Sequence, residues 1–268
     1  MTRPLSDRLT VTVTGGIAEV ALNRPDKLNA MDEAMFDALS QAGRDLAAQK
    51  GLRAVILHGI GRGFCAGIDT ALLMEFAGRV DALREAILTP LPDAAANRFQ
   101  HPCTVWADLP VPVIAALHGP VYGAGLQLAL GADIRLAAPD AALSIMEAKW
   151  GLIPDMGITR LLPPLMRADQ ALELMLTARV LAATEAAALG LLTRIAENPL
   201  DAARTLARVI AGRNPAAARG VKALVRAAWP GDDTQLNLEA QLQAAIIGTP
   251  DQMEAATASL QNRPPRFG

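Results

Sequence analysis

The sequence predicts an α/β fold, in which a core of strands and helices is followed by a helical C-terminal region. Residues 9–14 and 17–22 alternate between apolar and polar side chains on either side of two glycines, as in a β-hairpin. Asp32 is placed to cap a helix that runs to about Gln49, and residues 53–58 form an apolar run typical of a buried strand. Strand, helix and strand at this spacing indicate parallel pairing with a right-handed crossover.

The second half of the chain changes character. A helix is expected over residues 93–106, after two prolines break the preceding pattern, and strands are expected to continue beyond it. From Pro164 onward the pattern is almost entirely helical. We therefore expect two regions, a strand-and-helix core over residues 1–195 and a helical region over residues 196–268.

Length and composition limit the classes of protein that this chain can be. Its 268 residues are 51% hydrophobic but only 3% aromatic, which predicts a large aliphatic core. The net charge of −2 predicts neither a nucleic-acid-binding surface nor a membrane-binding one. Two cysteines, Cys65 and Cys103, are too few for a disulfide framework, and no metal-ligand spacing occurs. Because the chain starts without an apolar signal segment, we expect a cytoplasmic protein.

Two glycine-rich turns follow buried strands. The first spans residues 59–69, and the second spans residues 118–125 after the apolar run 111–116. Each leads into a helix start, and Asp69 is placed to cap the helix over residues 70–76 that follows the first turn. Backbone N–H groups at a helix start lack partners within the helix and favour negative charge. A bound phosphate, negative charge that develops during a reaction, or tight packing would each explain one such turn, although the spacing fits no phosphate-binding loop. Two turns roughly fifty-six residues apart could direct N–H groups at one oxygen, as an oxyanion hole does.

Four stretches, in this order along the chain, resemble the signatures of the crotonase superfamily, the enoyl-CoA hydratase/isomerase fold. They are Asn23-Arg-Pro-Asp-Lys-Leu-Asn-Ala30, Gly63-Phe-Cys-Ala-Gly-Ile-Asp69, His118-Gly-Pro-Val-Tyr-Gly-Ala-Gly-Leu-Gln127, and Glu147 through Gly157. The similarity covers roughly residues 8–265 and is specific for the family rather than for the reaction. It implies a crotonase-like spiral of ββα repeats with a helical C-terminal trimerisation region.

The resemblance implies roles for positions within these stretches. Ile68 and Ala124 match the two residues whose backbone N–H groups form the family's oxyanion hole. Ala66 matches a position whose carbonyl accepts a hydrogen bond from the adenine of coenzyme A, and Ile68 lies in the same CoA-binding loop. Lys27 resembles a cation near the CoA phosphates, although a solvated loop charge would look the same.

Glu147 matches the family's main acid/base glutamate. Its neighbours Ile145, Met146 and Ala148 are apolar, and an apolar surround would raise the pKa of the carboxyl group. The alternative is an ordinary surface carboxylate. A thioester carbonyl polarised by two N–H donors can become an enolate, and a base in this place would remove the proton from its α-carbon.

Two further polar residues bear on the choice between reactions. Gln127 stands where the hydratases carry a second glutamate; its amide can hold a water molecule but cannot remove a proton, and a purely structural hydrogen bond is the alternative. Asp155 lies eight residues after Glu147, a spacing found in the dienoyl-CoA isomerases of the family. Those enzymes usually also have an acid at the position of Gln127. After Pro154, Asp155 is equally suited to cap a helix.

We therefore expect an enzyme that acts on an acyl-CoA thioester through an oxyanion-stabilised enolate, with double-bond isomerisation slightly favoured. Hydration of a 2-trans-enoyl-CoA is the alternative. A non-catalytic acyl-CoA-binding or RNA-binding protein on the same fold is an alternative of another class. The expected catalytic residues are Glu147, Ile68, Ala124, Asp155 and Gln127.

The sequence also predicts the cofactors and the oligomeric state. No metal and no tightly bound cofactor are expected, since coenzyme A enters as part of the substrate. Near the C-terminus, an apolar set predicts a surface too hydrophobic for a monomer; its members are Leu236, Leu238, Leu242, Ile246 and Ile247. We expect a homotrimer or a dimer of trimers.

Overall fold

The computed structural model describes residues 2–76, 78–229 and 234–266. The strands are β1 (Thr2–Ser6), β2 (Leu9–Thr14), β3 (Ile17–Leu22), β4 (Ala54–Gly59), β5 (Val113–Leu117), β6 (Pro120–Tyr122), β7 (Ile134–Ala137), β8 (Ala142–Ser144), β9 (Leu181–Ala182) and β10 (Arg194–Ile195). The α-helices are α1 (Glu33–Ala47), α2 (Thr70–Phe76), α3 (Val80–Leu88), α4 (His101–Asp108), α5 (Ala124–Leu130), α6 (Ile158–Leu161), α7 (Ala168–Thr177), α8 (Ala183–Ala188), α9 (Pro199–Ala211), α10 (Pro215–Ala228), α11 (Thr234–Ile246) and α12 (Pro250–Leu260). Short 3₁₀ helices span Pro25–Lys27 and Glu147–Trp150.

The main sheet has the strand order β1-β2-β3-β4-β5-β7-β10. The predicted hairpin is confirmed as the antiparallel pair β2–β3, and the predicted parallel pairing of β3 with β4 is confirmed as well. Parallel pairing then continues through β5, β7 and β10. A smaller sheet has the order β6-β8-β9. The carboxyl ends of β4 and β5 therefore lie side by side, and each is followed by one of the two glycine-rich turns.

Both faces of the central strands are buried. Ile56 on β4 and Ile114 on β5 face the small alanines Ala203 and Ala207 of α9, while Val55 and other alternate residues face the main core. This two-sided burial explains why β4 reads as a continuous apolar run rather than as an alternating one. The strands are fixed from both sides and provide a rigid base for the turns.

Helix boundaries follow local capping signals. Asp32 caps α1 as predicted, since its side chain accepts a hydrogen bond from the Met35 N–H. The predicted helix over residues 93–106 is wrong in its first half, because α4 begins only at His101. The Asn97 side chain accepts hydrogen bonds from the N–H groups of Phe99 and Gln100, at 2.9 Å each. These local bonds hold the preceding residues in turns and set the start of the helix.

The C-terminal part is mostly helical, as predicted, but two short strands, β9 and β10, add an edge to each sheet. Of the expected apolar face, Leu236 and Ile247 are buried, whereas Leu238 and Leu242 are each 48% exposed. Part of that set therefore belongs to the core. None of the helices in the described ranges combines the length and apolar character needed to cross a bilayer.

Candidate active site

A cavity of about 100 Å³ lies where the two glycine-rich turns meet. Both turns and the segment after β8 contribute to its wall. The lining residues are Ala66, Gly67, Ile68, Thr70, Leu73, Gly123, Ala124, Met146, Glu147, Trp150 and Leu152. Three of the residues predicted for catalysis, namely Ile68, Ala124 and Glu147, thus share one cavity although they are distant in sequence.

Backbone hydrogen bonds join the two turns directly. The Cys65 N–H donates to the carbonyl of Pro120 at 3.1 Å, and the Tyr122 N–H donates to the carbonyl of Cys65 at 3.0 Å. At Gly125 the helix start approaches the Cys65 backbone so closely that any Cβ would collide with the Cys65 carbonyl oxygen. Glycine at this position is therefore what permits the contact. The relative placement of the turns is fixed by main-chain geometry.

The Ile68 N–H is oriented by the peptide unit to which it belongs. The carbonyl of Gly67, on the other side of that peptide, accepts a hydrogen bond from the Met31 N–H at 2.8 Å. In a trans peptide the N–H points opposite to the C=O, so the Ile68 N–H points away from Met31. Within the described part of the chain it donates no backbone hydrogen bond. It is thus a free donor on a residue that lines the cavity.

The Ala124 N–H is oriented in the same way. The carbonyl of Gly123 accepts a hydrogen bond from the Gln127 N–H at 3.0 Å, inside the first turn of α5. The N–H of the same peptide unit therefore points outward from the start of the helix. Among the described residues it has no backbone acceptor. The cavity wall thus carries two unpaired peptide donors, one from each turn.

Glu147 begins a 3₁₀ helix just after β8, and the Gly123 N–H bonds to the Ser144 carbonyl at 2.9 Å, which holds this segment against the second turn. The residue is partly exposed as a whole, but its Oε2 atom is buried and has no hydrogen-bond partner among the described residues. Burial raises the pKa of the carboxyl group to about 7, against smaller opposing contributions from backbone N–H groups and the Gln127 amide. The carboxyl therefore changes its protonation state near neutral pH.

Gln127 contacts Glu147 directly. Its Nε2 donates to Oε1 of Glu147 at 2.7 Å, and its Oε1 accepts a hydrogen bond from the Met156 N–H at 2.8 Å. The side chain is 1% exposed. Both ends of the amide are thus engaged with protein groups, which favours the structural alternative over water binding for this residue.

Asp155 lies next to this group but does not line the cavity. The cap interpretation of Asp155 is wrong, because Gly157 is the N-cap of α6. The Gly157 and Thr159 N–H groups bond instead to the carboxylate of Glu239, which reaches them from α11 at 2.8 and 2.7 Å. Burial, with the charges of Glu239 and Glu147, holds the pKa of Asp155 well above its usual range.

The loop that carries Lys27 packs on the first glycine turn. The Ala66 N–H donates to the Leu28 carbonyl at 3.0 Å, and Arg24 forms an ion pair with Asp69 at 2.5 Å. Asp69 also caps α2 as predicted, since its Oδ1 accepts from the Ala71 N–H at 2.9 Å. Lys27 itself is exposed on a 3₁₀ helix and is not part of the cavity wall.

Two residues that hold the site together were missed by the sequence analysis. Asn29 is buried, and its side chain donates to the carbonyls of Ile60 and Gly63 at 2.9 Å each, which ties the Lys27 loop to the first glycine turn. The available signal was an asparagine inside the first of the four stretches that resemble the family. Glu239 gave no comparable signal, because it lies in a helix eighty or more residues after the segment it holds.

Comparison with known proteins agrees with this arrangement. The sequence profile of the enoyl-CoA hydratase/isomerase family matches residues 12–268. The chain is 34% identical to 1,2-epoxyphenylacetyl-CoA isomerase of Escherichia coli (strain K12) over 261 residues, covering 95% of this chain and 96% of the relative. It is also 34% identical to the mitochondrial methylglutaconyl-CoA hydratase of Mus musculus over 260 residues, covering 94% and 79%.

A solved structure agrees at the level of the fold. The enoyl-CoA hydratase/isomerase from Mycobacterium paratuberculosis superposes with a TM-score of 0.84 at 25% identity, covering 95% of this chain and 99% of that one. This confirms the crotonase-like architecture expected from the four sequence stretches. The similar proteins include both an isomerase and a hydratase. The chain therefore belongs to the enoyl-CoA hydratase/isomerase family of the crotonase superfamily and is an enzyme of that family.

Proposed function

We propose that this enzyme forms an enolate from an acyl-CoA thioester, with the N–H groups of Ile68 and Ala124 on the thioester oxygen and Glu147 as the base. The unpartnered, buried Oε2 of Glu147 beside two free peptide donors is the observation that carries this proposal. A buried polar atom without a hydrogen-bond partner is costly, so its presence in a cavity wall indicates that a ligand supplies the partner. An acyl-CoA supplies an oxygen for the donors and an acidic C–H for the carboxylate.

The protonation behaviour of Glu147 supports this role. A pKa of about 7 makes the carboxylate a stronger base than an exposed glutamate, and leaves a substantial fraction ionised at neutral pH. The same group can then return the proton to another carbon of the acyl chain. This is the proton balance of double-bond isomerisation, in which no atom is gained or lost.

Isomerisation is favoured over hydration because Gln127 provides no second base. Its amide is bonded at both ends to Glu147 and Met156. Hydration of a 2-trans-enoyl-CoA remains the alternative reaction, and a hydratase is among the similar proteins. We propose that Asp155, which lies outside the cavity wall but close enough to Glu147 for their charges to interact, exchanges a proton at the far end of a substrate that extends beyond this cavity.

Coenzyme A binding is assigned by the family resemblance. We propose that the carbonyl of Ala66 and the main chain at Ile68 bind the CoA part of the substrate, and that exposed Lys27 lies near its phosphates. The contact between Ala66 and Leu28 supports this, since it places the two loops side by side. Two N–H donors and a carboxylate suffice for the reaction, so we propose that no tightly bound cofactor takes part.

We propose a homotrimer or a dimer of trimers as the assembly, with residues 1–195 as the catalytic core and 196–268 as the helical region. Exposed apolar side chains on α10 and α7 support an interface there. They are Val221, Leu224 and Val225 on α10 with the adjoining Trp229, and Leu172 and Leu176 on α7. Burial of these side chains against another copy of the chain would remove them from water.

The test is a panel of 2-enoyl-, 3-enoyl- and 3,5-dienoyl-CoA substrates with identified products. Turnover of the 3-enoyl-CoA or 3,5-dienoyl-CoA is expected to exceed hydration of the 2-enoyl-CoA. Glu147→Gln keeps the size of the side chain but loses the base, so the rate should fall by roughly 10²–10⁴. Glu85→Gln, an exposed position on α3, is the control and should keep full activity. Full activity of Glu147→Gln on every substrate would contradict the proposal.

A further inference from the structure

Gln127 is one of the most deeply buried polar residues of the chain, and it lies between two groups of different chemistry. On one side is the backbone N–H of Met156, 2.8 Å from the amide oxygen. On the other is Oε1 of Glu147, 2.7 Å from the amide nitrogen. All of α5 around it is buried, so water cannot replace either partner easily.

These partners determine the orientation of the amide. A backbone N–H can only donate, so the oxygen of the glutamine must face Met156. The NH₂ group must then face Glu147, and a rotated amide would lose both hydrogen bonds. The Met156 N–H, which belongs to the loop after the 3₁₀ helix, therefore determines that the NH₂ group of Gln127 donates to Oε1 of Glu147.

We infer that Gln127 is a positioning residue, which holds Oε1 of Glu147 as a hydrogen-bond acceptor and so leaves Oε2 as the oxygen that takes up the substrate proton. The independent observation behind this assignment is that no residue in the described part of the chain forms a hydrogen bond with Oε2. The inference rests on the proposed role of Glu147 as the base. This positioning role of Gln127 differs from both water binding and proton transfer.

A competing explanation is that Gln127 only anchors the loop. Gln243 provides the control for this, because within the described ranges the hydrogen bond of its side chain serves only to hold the loop. It lies on α11, is 4% exposed, and its Oε1 accepts a hydrogen bond from the Ile153 N–H at 3.2 Å. Gln127→Leu removes one loop anchor together with the bond to Glu147, whereas Gln243→Leu removes one loop anchor only.

The two explanations are separated by the pH dependence of kcat/KM on a substrate of the panel. A hydrogen-bond donor stabilises the ionised carboxylate, so loss of the donor raises the pKa of Glu147. In Gln127→Leu, the pKa that defines the acid limb should therefore rise by about one pH unit. At neutral pH we expect kcat to fall roughly tenfold with KM nearly unchanged. Gln243→Leu should keep the acid limb of the unchanged enzyme.

Gln127→Glu serves as a second variant that keeps the bond to the Met156 N–H. Two carboxyl groups within hydrogen-bond distance cannot both ionise freely, so the acid limb should again move to higher pH. An unchanged acid limb in whichever of the two Gln127 variants folds would overturn the inference. Failure of the proposed function is a separate outcome, because it requires that Glu147→Gln remain active.

Discussion

A single methyl group added at Gly67, in the first glycine turn, should displace one of the two N–H donors. Gly67 has a φ of +99°, which L side chains rarely adopt, and a Cβ there would lie 3.0 Å from the carbonyl oxygen of Tyr122. Conformational strain of this kind costs about 1–3 kcal/mol. We expect Gly67→Ala to relieve it by rotating the peptide unit that carries the Ile68 N–H.

The expected loss follows from the role of that N–H. Removing one donor from an oxyanion hole costs about 10²–10³ in kcat, so Gly67→Ala should lose turnover by that factor while it still binds coenzyme A. Gly51→Ala is the matched control. Its φ is +78°, but nothing lies within 4 Å of an added methyl group. It therefore introduces comparable backbone strain at a residue that does not line the cavity.

The assay is turnover at saturating substrate, with thermal unfolding of both variants measured in parallel. Both glycine variants should be destabilised, but only Gly67→Ala should lose activity at a temperature where both are folded. Equal turnover of the two variants would refute the assignment of the Ile68 N–H, because strain alone would then account for everything observed.

Three further predictions concern protonation, specificity and assembly. The pKa of Glu147 is about 7 in the folded chain against an ordinary 4.5, so folding favours the protonated carboxyl group. The stability that this group contributes is complete below pH 4.5 and is lost as the pH rises through 7. Above neutral pH, the free energy of unfolding of Glu147→Gln, measured in urea, should thus be up to about 3 kcal/mol higher than that of the unchanged protein. In acid the two free energies of unfolding should be equal. Asp155→Asn should be crippled on a 3,5-dienoyl-CoA and much less affected on a 3-enoyl-CoA; equal losses on both would argue against a second proton carrier. Light scattering at micromolar concentration should give the mass of a trimer or hexamer, and a monomer would contradict the proposed interface.

Local sequence signals predicted the parts of the structure that depend on neighbours along the chain. The hairpin at β2–β3, the cap at Asp32 and the cap at Asp69 all follow from residues within a few positions of one another. The two glycine turns were found because each follows a strand, and their convergence follows from the parallel pairing of β4 with β5. Short-range rules are sufficient for such features.

Long-range hydrogen bonds account for what the sequence could not predict. The start of α4 is set by local bonds to the Asn97 side chain, but that side chain is itself held by a bond to the Ile87 carbonyl at 2.7 Å, ten residues earlier. The N-terminus of α6 depends on Glu239 from a distant helix, and this is why Asp155 is left free of capping. A cap supplied from another element leaves no trace in the local pattern. The same applies to the bond between Gln127 and Glu147, since neither residue identifies the other as its partner.

The central claim is that Glu147 removes a proton from the carbon next to a thioester polarised by two N–H groups, and isotope exchange tests it most directly. A saturated acyl-CoA has no double bond to move or to hydrate, so deuterium at its α-carbon reports proton removal alone. In D₂O, the unchanged enzyme and Glu85→Gln should incorporate deuterium at equal rates, detected by NMR, while Glu147→Gln should be slower by roughly 10²–10⁴. Incorporation by Glu147→Gln at the rate of the unchanged enzyme would contradict the account.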